Sequence, residues 1–438
     1  MLLKNRILSI LFWSVIAAAF IGPGTVTTAA SAGTAFEYSL LWALVFSVIA
    51  TLVLQEASSR ITIVSGNNLG ESIRKQYFDN PNLRIIPYFV FASIFIGCAA
   101  YEAGNILGAV AGITLIFNIP AGIIVPVIGA VAAILLWAGS TKTVVRILGS
   151  IVGIMGFSFL VTAVLLKPSF NELFSGGFIP SFPTGSGLLV LGLIGTTVVP
   201  YNLFLGSGIA RGHTLNEMRF GLTIAVLLGG IISMAVLVVG AAITGPFSYD
   251  VLADALSGTL GTGAGVLLGV GLFAAGLTSA MTAPLAAAIT ARSILGNSDD
   301  PRWKESSSRY RIAWGTVLVA GLIFGVTRVQ PVPAIILAQA LNGIVLPFAA
   351  VFLFIAMNDR ALLGEGKMNN GPQNILMSFV VFIAVLLGVT HIARAIANAA
   401  GFIITNEGIL LAVAIAISIV LALPLWKIIT RRRQQMIN

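Results

Sequence analysis

The chain has 438 residues, of which 58% are hydrophobic and only 9% charged, with a mean hydropathy of +1.02. Soluble domains carry about 25% charged residues, so this composition excludes a soluble enzyme or binding module and puts most of the chain in lipid. The formal net charge of +9 then reads as basic loops at one membrane face, not as a nucleic-acid surface.

Apolar runs of about 20 residues mark membrane helices. Twelve are predicted, at 7–33, 39–64, 85–116, 119–139, 143–166, 187–210, 219–245, 262–294, 310–327, 331–356, 373–397 and 408–428. The first is interrupted by Gly22-Pro23-Gly24-Thr25. Proline lacks an amide donor and glycine adds backbone freedom, so the helix should unwind there. Unwound backbone at membrane depth is tolerated only against protein or a water-filled cavity. In the second span, Glu56 and Arg60 stand one turn apart and should pair, as a local bridge or an inner gate. The third span holds Cys98, expected to be a buried small hydrophobe, and Glu102 near its middle. Intramembrane acids are rare and functional, which makes Glu102 a candidate proton carrier. Spans three and eight are long enough to require tilt or extra turns. The sixth span is broken at Gly195-Thr196-Thr197-Val198-Val199-Pro200. His213 falls in the following loop and reads as solvated; His391 and Arg394 fall near the outer end of span eleven as structural residues. The closing Thr430-Arg431-Arg432-Arg433 run reads as a membrane-surface anchor, and Trp13, Trp42, Trp137 and Trp426 as packing or interface anchors.

With the N-terminus inside, 21 of the 24 basic residues fall on the cytoplasmic side, all but Lys167, Arg328 and Arg394. That asymmetry supports twelve spans with both termini in the cytoplasm, and the expected location is a bacterial-type inner membrane. The two breaks lie five spans apart, an odd number, so the second set of helices must run in the opposite sense. This is the pattern of an inverted repeat whose discontinuous first helices hold substrate at the midplane. The expected architecture is an all-α integral membrane protein with a first five-helix repeat over 1–166, an inverted second over 167–357 and two additional helices over 358–438.

Several segments then resemble the Nramp family of proton-coupled divalent-metal transporters. They are TTAASAGTAFEYSLLWALVFSVIATLVLQ (27–55), GTTVVPYNLFLGSGIAR (195–211), AAGLTSAMTAPLAAAI (274–289) and LAQALNGIVLPFAAVFLFIAMNDRALLG (337–364). The resemblance covers nearly the whole chain and implies the leucine-transporter fold and a carrier mechanism. The family's first-helix Asp-Pro-Gly-Asn reads Gly22-Pro23-Gly24-Thr25 here, and its sixth-helix Ala-x-x-Met followed by Pro-His reads Thr196-Thr197-Val198-Val199 followed by Pro200-Tyr201. Its third-helix acidic pair appears as Glu102 and Asn105, and Gln339 matches a family residue near the metal.

The expected substrate site is therefore Thr25, Thr196, Thr197, Val199, Tyr201, Asn202, Gln339 and Asn342 with the broken backbone, and none of these carries charge. The helix restarting after Gly24 points its positive end into the cavity, which favours an anionic group. The expectation is a small polar solute, such as one bearing a carboxylate, carried with a proton by alternating access. The alternative is a partly hydrated divalent cation, manganese or magnesium, which needs fewer direct ligands. The metal ligands are not fixed by the sequence. No resident cofactor, nucleic-acid partner or catalytic constellation is expected, and without a Gly-x-x-x-x-Gly-Lys-Ser/Thr loop neither is ATP-driven pumping. A monomer in the bilayer is the expected form.

Overall fold

The computed structural model describes residues 13, 21–78, 80–139, 142–296, 300–327, 329–399 and 407–434. Its helices are α1 (Pro23–Phe36), α2 (Leu41–Ser65), α3 (Leu69–Tyr77), α4 (Ile85–Thr114), α5 (Ala121–Ala138), α6 (Lys142–Leu165), α7 (Phe170–Phe178), α8 (Gly187–Thr197), α9 (Pro200–Ile209), α10 (Leu215–Ala241), α11 (Tyr249–Leu260), α12 (Gly263–Leu295), α13 (Ser308–Val326), α14 (Pro331–Ala356), α15 (Arg360–Leu363), α16 (Gly371–Ala399) and α17 (Glu407–Gln434). Eleven helical segments among the described residues are long and apolar enough to cross a membrane, and they match spans two to twelve. Most of span one before Ile21 lies outside the described residues.

The boundaries moved where capping chemistry decided them. Span seven starts at Leu215, not 219, because Thr214 accepts from the Glu217 amide while Glu217 accepts from the Thr214 amide. Three of the connections between spans contain helices: α3, opened by the same reciprocal cap between Asn68 and Glu71, then α7 and α11.

Small residues set the spacing between the inner helices. A β-carbon at Gly240 on α10 would stand 2.3 Å from Ala30 O on α1, and one at Gly112 on α4 would stand 2.5 Å from Gly269 O on α12. Lipid supplies no hydrophobic drive between helices, so backbones held this close by glycine provide the packing. Span six (α8 and α9) is almost entirely enclosed, whereas span twelve (α17) mostly faces outward. The broken segment therefore sits at the centre.

The C-terminal arginine run is not a free membrane anchor. Arg432 donates to Asp359 Oδ2 at 2.9 Å, and Arg433 donates to Asn358 Oδ1 at 2.5 Å and to Asn369 O at 3.0 Å. Asp359 is 3% exposed; it also accepts from Gln76 at 3.1 Å and from the Ala361 and Leu362 amides that open α15. A buried carboxylate needs such partners, and these come from three separate elements. Asp359→Ala is expected to lower the unfolding midpoint in detergent, at a cost of about 1–3 kcal/mol for the groups left unpaired. Arg431→Ala, at an exposed position, should change stability by less than about 0.5 kcal/mol.

Candidate functional site

The helix start at the first expected break and the break in span six each have a local cause. At the first, Gly22 is extended (φ −80°, ψ 170°) and α1 starts with Pro23 in its first turn, a position where a missing amide costs nothing. Gly22 O accepts from the Thr25 and Val26 amides at 3.1 and 3.2 Å. At the second, α8 stops at Thr197, Val198 and Val199 leave the helical region, and α9 restarts at Pro200. Pro200 cannot donate to the preceding turn and pushes Val199 into extended backbone (φ −80°, ψ 116°).

The fold brings the two breaks together. Thr25 Oγ1 and Thr196 Oγ1 are 2.9 Å apart, a hydrogen bond between residues 171 positions apart in the chain. Around them the freed carbonyls are only lightly engaged. Tyr101 Oη donates to Thr196 O at 3.4 Å, and Thr51 Oγ1 donates to Thr197 O at 3.3 Å. Gln339 of α14 closes the third side. Its carboxamide lies against Gly24, where a β-carbon would meet Nε2 at 2.1 Å, and its own carbonyl oxygen lies against Gly195. Gln339 is fully buried, yet neither Oε1 nor Nε2 has a hydrogen-bond partner among the described residues. The site is sealed from solvent, with Thr25 1% and Thr196 0% exposed. Two residues beyond Thr25, Thr27 shares a 2.5 Å hydrogen bond with Tyr249 at the start of α11, while donating to Pro23 O.

The other expected site residues divide. Thr197 is buried beside Thr196, with its hydroxyl bonded back to Leu193 O at 2.9 Å. Val199 is buried and offers no side-chain donor or acceptor. The Tyr201 ring meets Tyr101 edge-on at 5.2 Å, and its hydroxyl is without a partner among the described residues, as is Asn202 Oδ1. Asn342 bonds back to Ala338 O, and its Oδ1 faces Gly97 on α4. Glu102 and Asn105 do pair, Asn105 Nδ2 donating to Glu102 Oε2 at 3.2 Å. Glu102 packs against Gly321 of α13, and its Oε1 has no partner among the described residues.

Glu56 and Arg60 pair at 3.2 Å as expected, and Glu56 also takes Arg219 of α10 at 2.8 Å. Arg60 further donates to Asn369 Oδ1 and to Lys367 O. Glu56, Arg60, Arg219 and Asn369 line a cavity of about 230 Å³ with Gln373 and Met377 of α16. A second cavity, of about 150 Å³, lies at the other end of α16, lined by Ser186, Thr390, His391 and Arg394. His213 is half-buried with its ring 5.9 Å from Trp13, so it is not simply solvated. Sequence reading missed Tyr101, Thr51 and Tyr249. Tyr101 adjoins the acid singled out in span three, whereas nothing local marks Tyr249.

Among the described residues no group of three or more His, Cys, Asp or Glu side chains could hold a metal ion. What the site offers is neutral oxygen: two hydroxyls, a carboxamide and backbone carbonyls.

A family model described as natural resistance-associated macrophage protein-like matches residues 14–394. The divalent metal cation transporter MntH of Pectobacterium carotovorum subsp. carotovorum is 26% identical over 388 residues, covering 85% of this chain and 91% of that relative. The protein of the same name from Brucella suis biovar 1 is 26% identical over 375 residues, covering 80% of each chain. Among solved structures, an Eremococcus coleocola manganese transporter in complex with an aromatic bis-isothiourea substituted compound has a TM-score of 0.71 at 20% identity, covering 99% of this chain and 95% of that one. Mhp1, a nucleobase-cation-symport-1 family transporter in a closed conformation, has a TM-score of 0.53 at 16% identity, covering 96% and 92%. The shared fold is the leucine-transporter-like arrangement. With its family match spanning most of the sequence and its eleven described spans built round a broken sixth, this chain belongs to the Nramp family of membrane transporters.

Proposed function

We propose that the chain is a secondary active transporter of divalent metal cations, manganese or magnesium, working by alternating access with a coupled proton. The observation that carries this reading is Gln339: a fully buried carboxamide, both atoms unpartnered, set against Gly24 beside the Thr25–Thr196 pair. Buried polar groups are satisfied in the working protein, so a bound species belongs there. A hard cation takes oxygen ligands from hydroxyls, amides and backbone carbonyls, and a small one keeps several of its waters. The relatives named for divalent metal cation transport favour this cargo over the carboxylate-bearing solute first expected. One observation keeps that solute as a second reading: the first turn of α1 opens with no acid and no side-chain cap, a positive helix end with nothing to balance it.

In this reading Glu102 carries the proton, supported by Asn105, and the Glu56–Arg60–Arg219 cluster closes the end of the pathway rich in basic residues. The two breaks belong to inverted five-helix repeats, 1–166 and 167–357, with 358–438 as peripheral helices. Each protomer would carry cargo alone.

The test is uptake by the full chain in proteoliposomes under an imposed pH gradient, with manganese, magnesium and a set of small carboxylates. Saturable metal uptake is expected, reduced by Gln339→Leu. Glu102→Gln should keep metal-dependent thermal stabilisation while uptake loses its dependence on the pH gradient. Uptake of a carboxylate with no response to either metal would overturn the cation reading in favour of the second.

A further inference from the structure

We propose that α7, in the connection between spans five and six, is an interfacial helix. Its phenylalanine stripe is seated at the boundary between lipid headgroups and acyl chains, at the membrane face opposite Arg60. The helix divides into three faces. Gly176, Gly177 and Leu173 face the protein: a β-carbon at Gly176 would stand 2.2 Å from Tyr38 O, and one at Gly177 would touch Val45 at 3.7 Å. Asn171, Glu172 and Ser175 form an exposed polar face. Phe170, Phe174 and Phe178, at i, i+4 and i+8, form the third, and they are 77%, 55% and 65% exposed. Their rings follow one another at 6.3 and 4.9 Å, so they cover each other only in part.

A helix with one protein face, one polar face and one aromatic face fits a position flat in the membrane interface. The lipid is identified as the occupant by continuity. Val164 and Leu165 at the end of span five and Leu188 at the start of span six are exposed apolar residues of membrane-crossing helices. The phenylalanine stripe, with exposed Ile179 and Phe182, lies in the chain between these two lipid-facing surfaces. Trp42, whose ring meets Phe182 at 4.9 Å and whose indole donates to Ser181 O at 3.0 Å, adds an aromatic residue of the kind that collects at this depth.

The placement matters because α7 rests on the turn after α1 and is joined to α8 by the short segment 179–186. Ser181 Oγ donates to Ser39 O at 2.9 Å, tying the connection to that turn. A lipid-seated α7 therefore holds the ends of both broken spans at a fixed depth.

Cys98 is fully buried, so nitroxide labelling of the full chain reports on an introduced cysteine alone. Single cysteines at Phe170, Phe174, Phe178, Asn171, Glu172 and Ser175 would be labelled and reconstituted in vesicles of phosphatidylethanolamine and phosphatidylglycerol. Collision rates with oxygen and with a water-soluble nickel chelate would then be measured. The ratio of oxygen to nickel collisions should be several-fold higher at the three phenylalanine positions than at the three polar ones. Equal nickel access at all six would place the helix in water and overturn the proposal. Loss of access to both reagents at the phenylalanine positions would overturn it too, in favour of a protein partner such as a second copy of the chain. All six sites are exposed, so labelling them does not disturb the fold.

Discussion

Replacing Thr25 and Thr196 together by valine is expected to abolish uptake while leaving the fold nearly as stable as the parent. The two hydroxyls bond each other at 2.9 Å in a site closed to solvent. Either single valine leaves a buried hydroxyl without its partner, at a cost of about 1–3 kcal/mol, whereas removing both leaves no orphan and is nearly neutral. The two substitutions should therefore be strongly non-additive in a double-mutant cycle read by thermal unfolding. Transport should behave differently. Each hydroxyl withdrawn removes a ligand for the cargo, so each single variant should lose at least about tenfold in apparent affinity, which corresponds to roughly 1.4 kcal/mol. The double variant should lose more, not recover. A double variant that is both stable and fully active would show that the pair only packs the helices.

Gly195→Ala is expected to be among the most damaging single-methyl additions in the chain. The new β-carbon would lie 2.0 Å from Gln339 O and 2.7 Å from the Gly343 amide nitrogen, both backbone atoms of α14. Neither can rotate away, so spans six and ten must part. Overpacking of this kind costs about 1–3 kcal/mol, and more where rigid backbone is the obstacle. Folded yield in detergent should fall sharply. Gly24→Ala makes a useful contrast: its obstacle is the far end of the Gln339 side chain, which can swing aside. That variant should fold, yet lose uptake because the carboxamide has left the site. Gly208→Ala, whose β-carbon would meet only the Ile289 side chain at an ordinary 3.4 Å, should be close to neutral. Equal stability for Gly195→Ala and Gly208→Ala would refute the close approach of spans six and ten.

The positions of the spans and breaks were legible because lipid enforces them one residue at a time. A run must be apolar to enter the bilayer, and a proline at membrane depth must leave a carbonyl free. Glu56 and Arg60 were legible for the same reason, since helix periodicity alone puts them together. Thr25 and Thr196 are legible from the flanking Gly-Pro and Val-Pro steps, whereas their mutual hydrogen bond is visible only in the fold. The arginine run misled, because a basic cluster beside a membrane ordinarily faces lipid headgroups. Here Asp359, some 70 residues earlier in the chain, competes for it and wins by being buried. The substrate expectation leaned on absent charges within the site itself. The family match and the named relatives weigh on the other side.

By itself, then, the sequence determined the eleven described spans, the break in the sixth, the helix start at Pro23 and the neutral character of the residues beside them. These follow from the solvent and from bonds between near neighbours in the chain. Only the tertiary structure decided which way each helix face turns: that Gln339 meets Gly24 with its amide unsatisfied, that Glu102 packs against Gly321 of α13, and that α7 presents its phenylalanines outward. Rotation of a helix about its axis leaves its hydropathy unchanged. It is set by glycine-lined contacts between residues far apart in sequence, such as Gly195 with Gln339 and Gly240 with Ala30.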